Sequence, residues 1–216
     1  MLIGVKKRFV FVANSKTAST SIEFALAPHA EIMRGGTPAS KHIPLTDIRK
    51  EYHFLFDRAQ YPFESFFRFG VMRDPLDWIK SWYRYRRGNA VETPLAPDMS
   101  FDAFWDRNDW NISRASGVPF DQSVRFLDDQ DQPLADLIIP HGRLDHFFPK
   151  IAKAIGVPAA LPKRNVSRIK RLDTPVSETT LKKVREHYAR DYALIDQMYE
   201  INQRGLEKLA DLSNSR

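Results

Sequence analysis

The chain has 216 residues, 43% of them hydrophobic and 28% charged, which suits one sizeable domain with a full core. It contains no cysteine, and that excludes a disulfide scaffold, a thiolate metal site and a cysteine nucleophile. A formal net charge of +6 suits an anionic ligand, whether a nucleotide, a nucleic acid or a sulfated or phosphorylated substrate.

Residues 1–7 hold too short an apolar run for a signal peptide, and no run of about 18 apolar residues occurs anywhere, so no membrane span and a cytoplasmic location are expected. Phe9, Val10, Phe11, Val12 and Ala13 read as a short buried strand. The composition then switches abruptly. Ser15, Thr17, Ser19, Thr20 and Ser21 surround a single lysine, Lys16, and from Ile22 the apolar spacing becomes helical. Strand, tight polar turn and helix start make a place suited to phosphate, because the first amides of a helix lack intrahelical acceptors and the helix dipole favours negative charge there. The two-glycine nucleotide loop pattern is absent. A Ser/Thr-rich helix cap with a solvated lysine is the plain alternative.

Residues 30–33 suggest a short second strand, followed by a Gly- and Pro-containing loop over 34–40 and then Lys41-His42. Pro44 opens a helix running to about residue 53. The aromatic group Tyr52, Phe54, Phe56, Tyr61, Phe63, Phe66 and Phe67 reads as core, with an acceptor cleft as the alternative. Residues 67–72 form the next strand, closing on Arg73-Asp74-Pro75, where Asp74 is a good helix cap and Pro75 fits the first helical position. That helix carries Trp78, Ile79, Trp82 and Tyr83 on one stripe and ends in the basic run 84–87 before Gly88. Ser100 caps another helix, residues 137–140 form a strand and 143–155 a helix. Leu181, Val184, Tyr188, Tyr192, Ile195 and Tyr199 step by 3 or 4 along one long C-terminal helical segment, 177–212.

Alternating strands and helices imply a three-layer α/β fold, with a central, mainly parallel sheet flanked by helices and a P-loop-like phosphate-binding turn after the first strand. Ligands of such sheets bind at the carboxyl ends of the strands, so Lys16 and Arg73 are expected on one rim. Ser81, eight residues beyond Arg73 on the following helix, is placed to share an anion with it through a short hydroxyl donor beside the planar guanidinium fork. An ion pair of Arg73 with Asp74 or Asp77 is the alternative.

Lys16-Thr17-Ala18-Ser19-Thr20-Ser21 after one strand, and Arg73-Asp74-Pro75 with Ser81 after a later one, resemble the two signature segments of the PAPS-dependent sulfotransferase superfamily, most of all its carbohydrate-type branch. The resemblance implies a single sulfotransferase-like domain over 1–216. It implies that PAPS (3′-phosphoadenosine 5′-phosphosulfate) is co-substrate and PAP the product, with no metal required. Lys16, Thr17, Ala18, Ser19, Thr20 and Ser21 would line the 5′-phosphosulfate, and Arg73 and Ser81 would hold the 3′-phosphate. Ser15 stands where the family usually has proline. Weaker likeness lies in Pro119-Phe120-Asp121-Gln122-Ser123, in Arg143-Leu144-Asp145, in Tyr188-Ala189-Arg190-Asp191-Tyr192, and in Leu161-Pro162-Lys163-Arg164-Asn165-Val166-Ser167. The last resembles a loop that closes over the nucleotide and makes Arg164 a cofactor-binding candidate.

Transfer to a hydroxyl acceptor, a carbohydrate being one such, needs a cation at the leaving phosphate and a general base. Lys16 fills the first role and His42 is the leading candidate for the second, with Glu23 and Glu31 as alternatives. No histidine has metal-ligand spacing, and no metal site is expected. A different nucleotide enzyme, such as a small-molecule kinase using Asp74 for magnesium, and a basic nucleic-acid-binding protein are the competing classes. Neither nucleic acid nor membrane is expected as a partner.

Overall fold

The computed structural model describes residues 1–88, 91, 94–108, 110, 121–162 and 174–214. Five strands form one sheet: β1 (Leu2–Gly4), β2 (Phe9–Val12), β3 (Ile32–Met33), β4 (Phe67–Met72) and β5 (Leu137–Pro140), in the order β3-β1-β2-β4-β5. β2, β4 and β5 are parallel to one another, whereas β1 pairs antiparallel with both β2 and β3. The sheet is therefore mixed: four strands share a direction and β1 alone opposes them. β1 falls in the short apolar run before the first expected strand, where composition gave no strand signal. Its hairpin turn is held by Glu31, whose Oε2 accepts from the Val5 amide at 2.7 Å.

Strand side chains alternate faces. Val10, Val12, Met72 and Ile138 enter one apolar cluster with α3 (Leu45–Glu51), α4 (His53–Phe56) and the first half of a long C-terminal helix. Phe9, Phe11, Phe67, Phe69, Val71, Leu137 and Ile139 enter a second cluster on the opposite face, with α1 (Ser19–Leu26) and α7 (Leu144–Ile155). The expected layering of helices on both faces of a sheet is thus observed. Of the aromatic group between 52 and 67, Phe56, Phe63, Phe66 and Phe67 are buried in these clusters, while Phe54 is exposed.

A third cluster contains no strand residue. It joins α5 (Pro75–Gly88), α6 (Phe101–Asp106) and α8 (Glu178–His187) through Trp78, Tyr83, Phe101, Phe104, Trp105 and Val184. The caps agree with the sequence: Ser100 Oγ accepts from Ala103 N at 3.1 Å, and Asp74 Oδ1 accepts from Asp77 N at 3.0 Å. The loop over 34–40 contains one short helix, α2 (Pro38–Lys41), which delivers His42.

The single C-terminal helix expected over 177–212 is two helices. α8 ends at His187, Tyr188 leaves helical geometry (φ −97°, ψ 26°), and α9 runs from Ala189 to Asn214. The break lets Val184 and Tyr188 pack in the third cluster while Asp191 turns towards the sheet. α9 then crosses the border of the sheet. Leu194, Met198 and Ile201 sit on one face and Leu209 on the other. At the crossing, Asn202 bonds the free side of β5: its Oδ1 accepts from Ile138 N and its Nδ2 donates to Ile138 O, both at 2.8 Å. Gly205 makes the approach possible, because a Cβ there would lie 2.1 Å from Asp136 O. Among the described residues, no helix is long and apolar enough to cross a membrane.

Replacing Gly205 by alanine forces α9 away from β5, and is expected to lower the unfolding free energy by about 1–3 kcal/mol, the scale of overpacking. Urea denaturation measures it. An unchanged midpoint would show that α9 shifts freely along the border.

Candidate functional site

The three parallel strands deliver their following residues to one rim: Lys16 after β2, Arg73 after β4 and His141 after β5. What fixes these strand ends together is a buried polar cluster. Gln122, fully buried, accepts at Oε1 from Asn14 Nδ2 and from Arg73 N, each at 3.0 Å. Its Nε2 donates to Arg73 O at 2.8 Å and to Asp191 Oδ2 at 3.4 Å. Asn14 Nδ2 also donates to Val71 O at 3.1 Å. Asp191, buried on α9, accepts from Gln122 N at 3.1 Å and from Ser123 N at 2.8 Å. Burial and the neighbouring Asp121 push its carboxyl up to about 6, against the pull of these amide donors.

The turn between β2 and α1 has an unusual backbone. Lys16 and Ala18 have φ of 59° and 63°, the left-handed region that costs residues with a Cβ roughly 1–2 kcal/mol each. The turn is secured from inside. Thr17 Oγ1 donates to Asn14 O at 2.9 Å, and the Ser19 hydroxyl also donates to Asn14 O while accepting from Asn14 N at 3.0 Å. Thr17 and Ser19 are therefore buried, and their hydroxyls are committed to the turn itself. α1 starts at Ser19, earlier than its apolar spacing suggests, with Ala18 in the cap position and no side-chain cap. What this turn can offer an anion is its amides, together with Lys16. Thr20 is half-buried and Ser21 buried within the first turn of α1.

Lys16 is half-buried and makes no ion pair with any described residue. Its Nζ lies 3.7 Å from the centre of the Tyr85 ring and 5.6 Å from that of Trp82. Burial, and repulsion from Arg73, lower its pKa to about 8. That repulsion means the two cations act on each other, as expected of neighbours on one rim. Arg73 is itself desolvated; Asp77 offsets part of the cost and Arg84 adds to it. His141 is lowered by burial and by the Arg73 charge. Ser81, half-buried on α5, shares a helix face with Asp77 one turn before it and with Arg84 and Tyr85 one turn after. These three flank Lys16 or Arg73. α5 is anchored to the turn by Trp78 Nε1, which donates to Ser15 O at 2.8 Å.

His42 reaches the same strand end. Its Nδ1 lies 2.9 Å from Ala13 O. A carbonyl only accepts, so Nδ1 carries the proton and Nε2 keeps its lone pair. Burial holds the ring below the usual histidine range, which keeps it neutral. The other two base candidates are occupied: Glu23 pairs with Lys41 Nζ at 2.6 Å, and Glu31 holds the β1–β2 turn. Asp74 is consumed as a helix cap. Among the described residues no group of His, Asp and Glu side chains could hold a metal ion. Arg164 lies outside the described residues, as do residues 119 and 120 and the rest of 163–167.

The residues that fix the rim, Asn14, Gln122 and Asp191, carry no motif of their own. Two of them, Gln122 and Asp191, sit in the weaker segments of likeness, where no role was assigned to them. Tyr85 and His141 were visible only as part of a basic run and as a lone histidine. No family model matches the chain, and no curated protein or solved structure matches it either.

Gln122→Ala strips partners from the Arg73 amide and carbonyl and from Asn14. With buried unsatisfied groups costing about 1–3 kcal/mol each, an unfolding free energy lower by about 2 kcal/mol or more is expected. Chemical denaturation reads it, and a loss below about 0.5 kcal/mol would mean that the strand ends are held by other contacts.

Proposed function

We propose that this chain is a sulfotransferase, moving the sulfuryl group of PAPS to a hydroxyl acceptor, and that the turn after β2 is a P-loop-like phosphate site. The observation that carries the reading is Lys16: a half-buried ammonium with no carboxylate partner among the described residues, held on aromatic rings beside a second desolvated cation, Arg73. Two such cations repel one another and lose hydration, a cost that a bound dianion removes. The segments of Lys16 and Arg73 are also those that resemble the family signatures, one for each end of the nucleotide.

In this reading Lys16 and the turn amides hold the 5′-phosphosulfate, and Arg73 and Ser81 hold the 3′-phosphate. His42 Nε2 takes the proton of the acceptor hydroxyl as its oxygen bonds to sulfur. The sulfur–oxygen bond to the 5′-phosphate breaks on the opposite side, and its electron pair stays on the phosphate oxygen, where Lys16 offsets the new charge. Positioning and electrostatics supply the catalysis, as in phosphoryl transfer. A carbohydrate is the acceptor class that the likeness favours. A kinase reading would need a carboxylate for magnesium, and the one suggested by the sequence, Asp74, caps α5.

A thermal-shift measurement tests the assignment: PAP at about 100 times its dissociation constant adds about 2.7 kcal/mol to stability. Larger stabilisation by ATP, or binding to duplex DNA without binding to PAP, would replace it with one of the competing classes. In a PAPS assay Lys16→Ala is expected to lower turnover by about 2.7–4 kcal/mol of transition-state stabilisation, roughly 10²–10³-fold; unchanged turnover would remove Lys16 from its role.

The pH profile follows from the two shifted groups. His42 must be neutral, and its pKa lies below the ordinary 6.5, so the acid limb of kcat/KM falls below pH 6.5. Lys16 must be protonated, so kcat/KM declines as pH rises through about 8. Bound nucleotide charge raises Lys16 again, and the alkaline limb of kcat therefore lies higher. Coincident alkaline limbs at the ordinary lysine value would contradict the assignment.

A further inference from the structure

Among the described residues, Arg125 is a desolvated cation that the proposed nucleotide contacts leave unused. It closes the short 3-10 turn Ser123–Arg125, directly after Gln122, so the cluster that fixes the strand ends also fixes its backbone. Its Nε is buried without a hydrogen-bond partner, and its side chain forms no ion pair among the described residues. Asp121 and Asp47 act on it from a distance, and burial outweighs both. Asp121 is engaged elsewhere: Oδ1 accepts from Val124 N at 3.1 Å and Oδ2 lies 3.8 Å from Arg190 Nη1.

Arg125 is half-buried, and a guanidinium whose Nε is shut from water without a partner is costly unless something else completes it. Its surroundings indicate which molecule does so. Lys16 and Arg73 act on each other, and Arg125 is prominent in neither environment. It is instead the foremost charge acting on His42. Gln122, three residues before Arg125, bonds Asn14, and the Ala13 carbonyl next to Asn14 lies 2.9 Å from His42 Nδ1, so Arg125 leaves the cluster near the base, where an acceptor hydroxyl would be presented.

We propose that Arg125 binds an anionic group of the acceptor, so that the hydroxyl offered to His42 belongs to a molecule carrying a carboxylate or sulfate ester nearby. The inference rests on the sulfotransferase reading and specifies its acceptor. A guanidinium suits either anion, since its planar fork matches two oxygens at once.

Calorimetric titration of three probes decides it: phenyl β-glucoside, phenyl β-glucuronide and phenyl β-glucoside 6-sulfate, each with and without PAP. Wild-type protein is expected to bind at least one anionic probe about tenfold or more tightly than the neutral one, the scale of a charged hydrogen bond. The preference disappears in Arg125→Gln, persists in Arg125→Lys, and persists in Lys16→Ala. Because Arg125→Gln removes a half-buried charge whose Nε has no partner, its melting temperature stays at or above that of the wild type; a clear fall would reveal a structural partner and overturn the proposal. Equal binding of all three probes, or a preference that survives Arg125→Gln, would also overturn it. The two readings fail separately. Lack of PAP binding removes the sulfotransferase assignment, whereas equal probe binding with PAP bound removes only the anionic acceptor.

Discussion

The side-chain amide of Gln122 is the constraint on which the rim depends. One oxygen and one nitrogen tie the end of β2, through Asn14, to both backbone groups of Arg73 at the end of β4, and α9 joins through Asp191. Adjacent parallel strands already set the spacing of their ends. The amide adds orientation, because both of its faces are used and a rotation of the group would set donor against donor. Lys16 and Arg73 leave the sheet from positions that this cluster has made rigid. The fold thus holds two cations side by side before any anion arrives.

The charges of the candidate site are arranged at a cost to stability. Lys16, Arg73 and Arg125 are all desolvated, and none has an ion pair among the described residues. Elsewhere the chain pairs its buried charges carefully: Arg68 makes two bonds to Asp136, at 2.9 and 2.7 Å, and Lys208 adds a third at 2.9 Å. The contrast separates cations that hold the fold from the cations to which the proposed function assigns an anionic ligand. The left-handed backbone at Lys16 and Ala18 belongs with the second group, as local strain retained at the turn proposed to bind phosphate.

Much of the frame was legible. β-branched and aromatic runs marked β2, β4 and β5, and Ser100 and Asp74 marked helix starts, because short-range chemistry decides these. β1 escaped because three residues in a hairpin are stabilised by pairing with β2 and β3 and not by their own pattern. The stop at Tyr188 escaped because apolar spacing continues through it; the packing of Tyr188 in the third cluster and the bonds of Asp191 to Gln122 and Ser123 are tertiary. At the site, Lys16 and Arg73 were legible from strand-end position and His42 from its context. The commitment of the Thr17 and Ser19 hydroxyls to Asn14 was not, since a hydroxyl-rich turn reads the same whether its oxygens point outward or inward.

The crossing of α9 over the sheet border has a consequence for self-association. A sheet recruits another copy only where a row of backbone donors and acceptors is left open. Asn202 occupies that row on β5 as a counterfeit strand, and the glycine three residues later keeps the helix pressed against it. On the far border β3 offers only two residues, too few to template a ladder. Among the described residues, the sheet therefore leaves little open backbone at either border for a second copy to pair with, and on the β5 side one side chain does the covering.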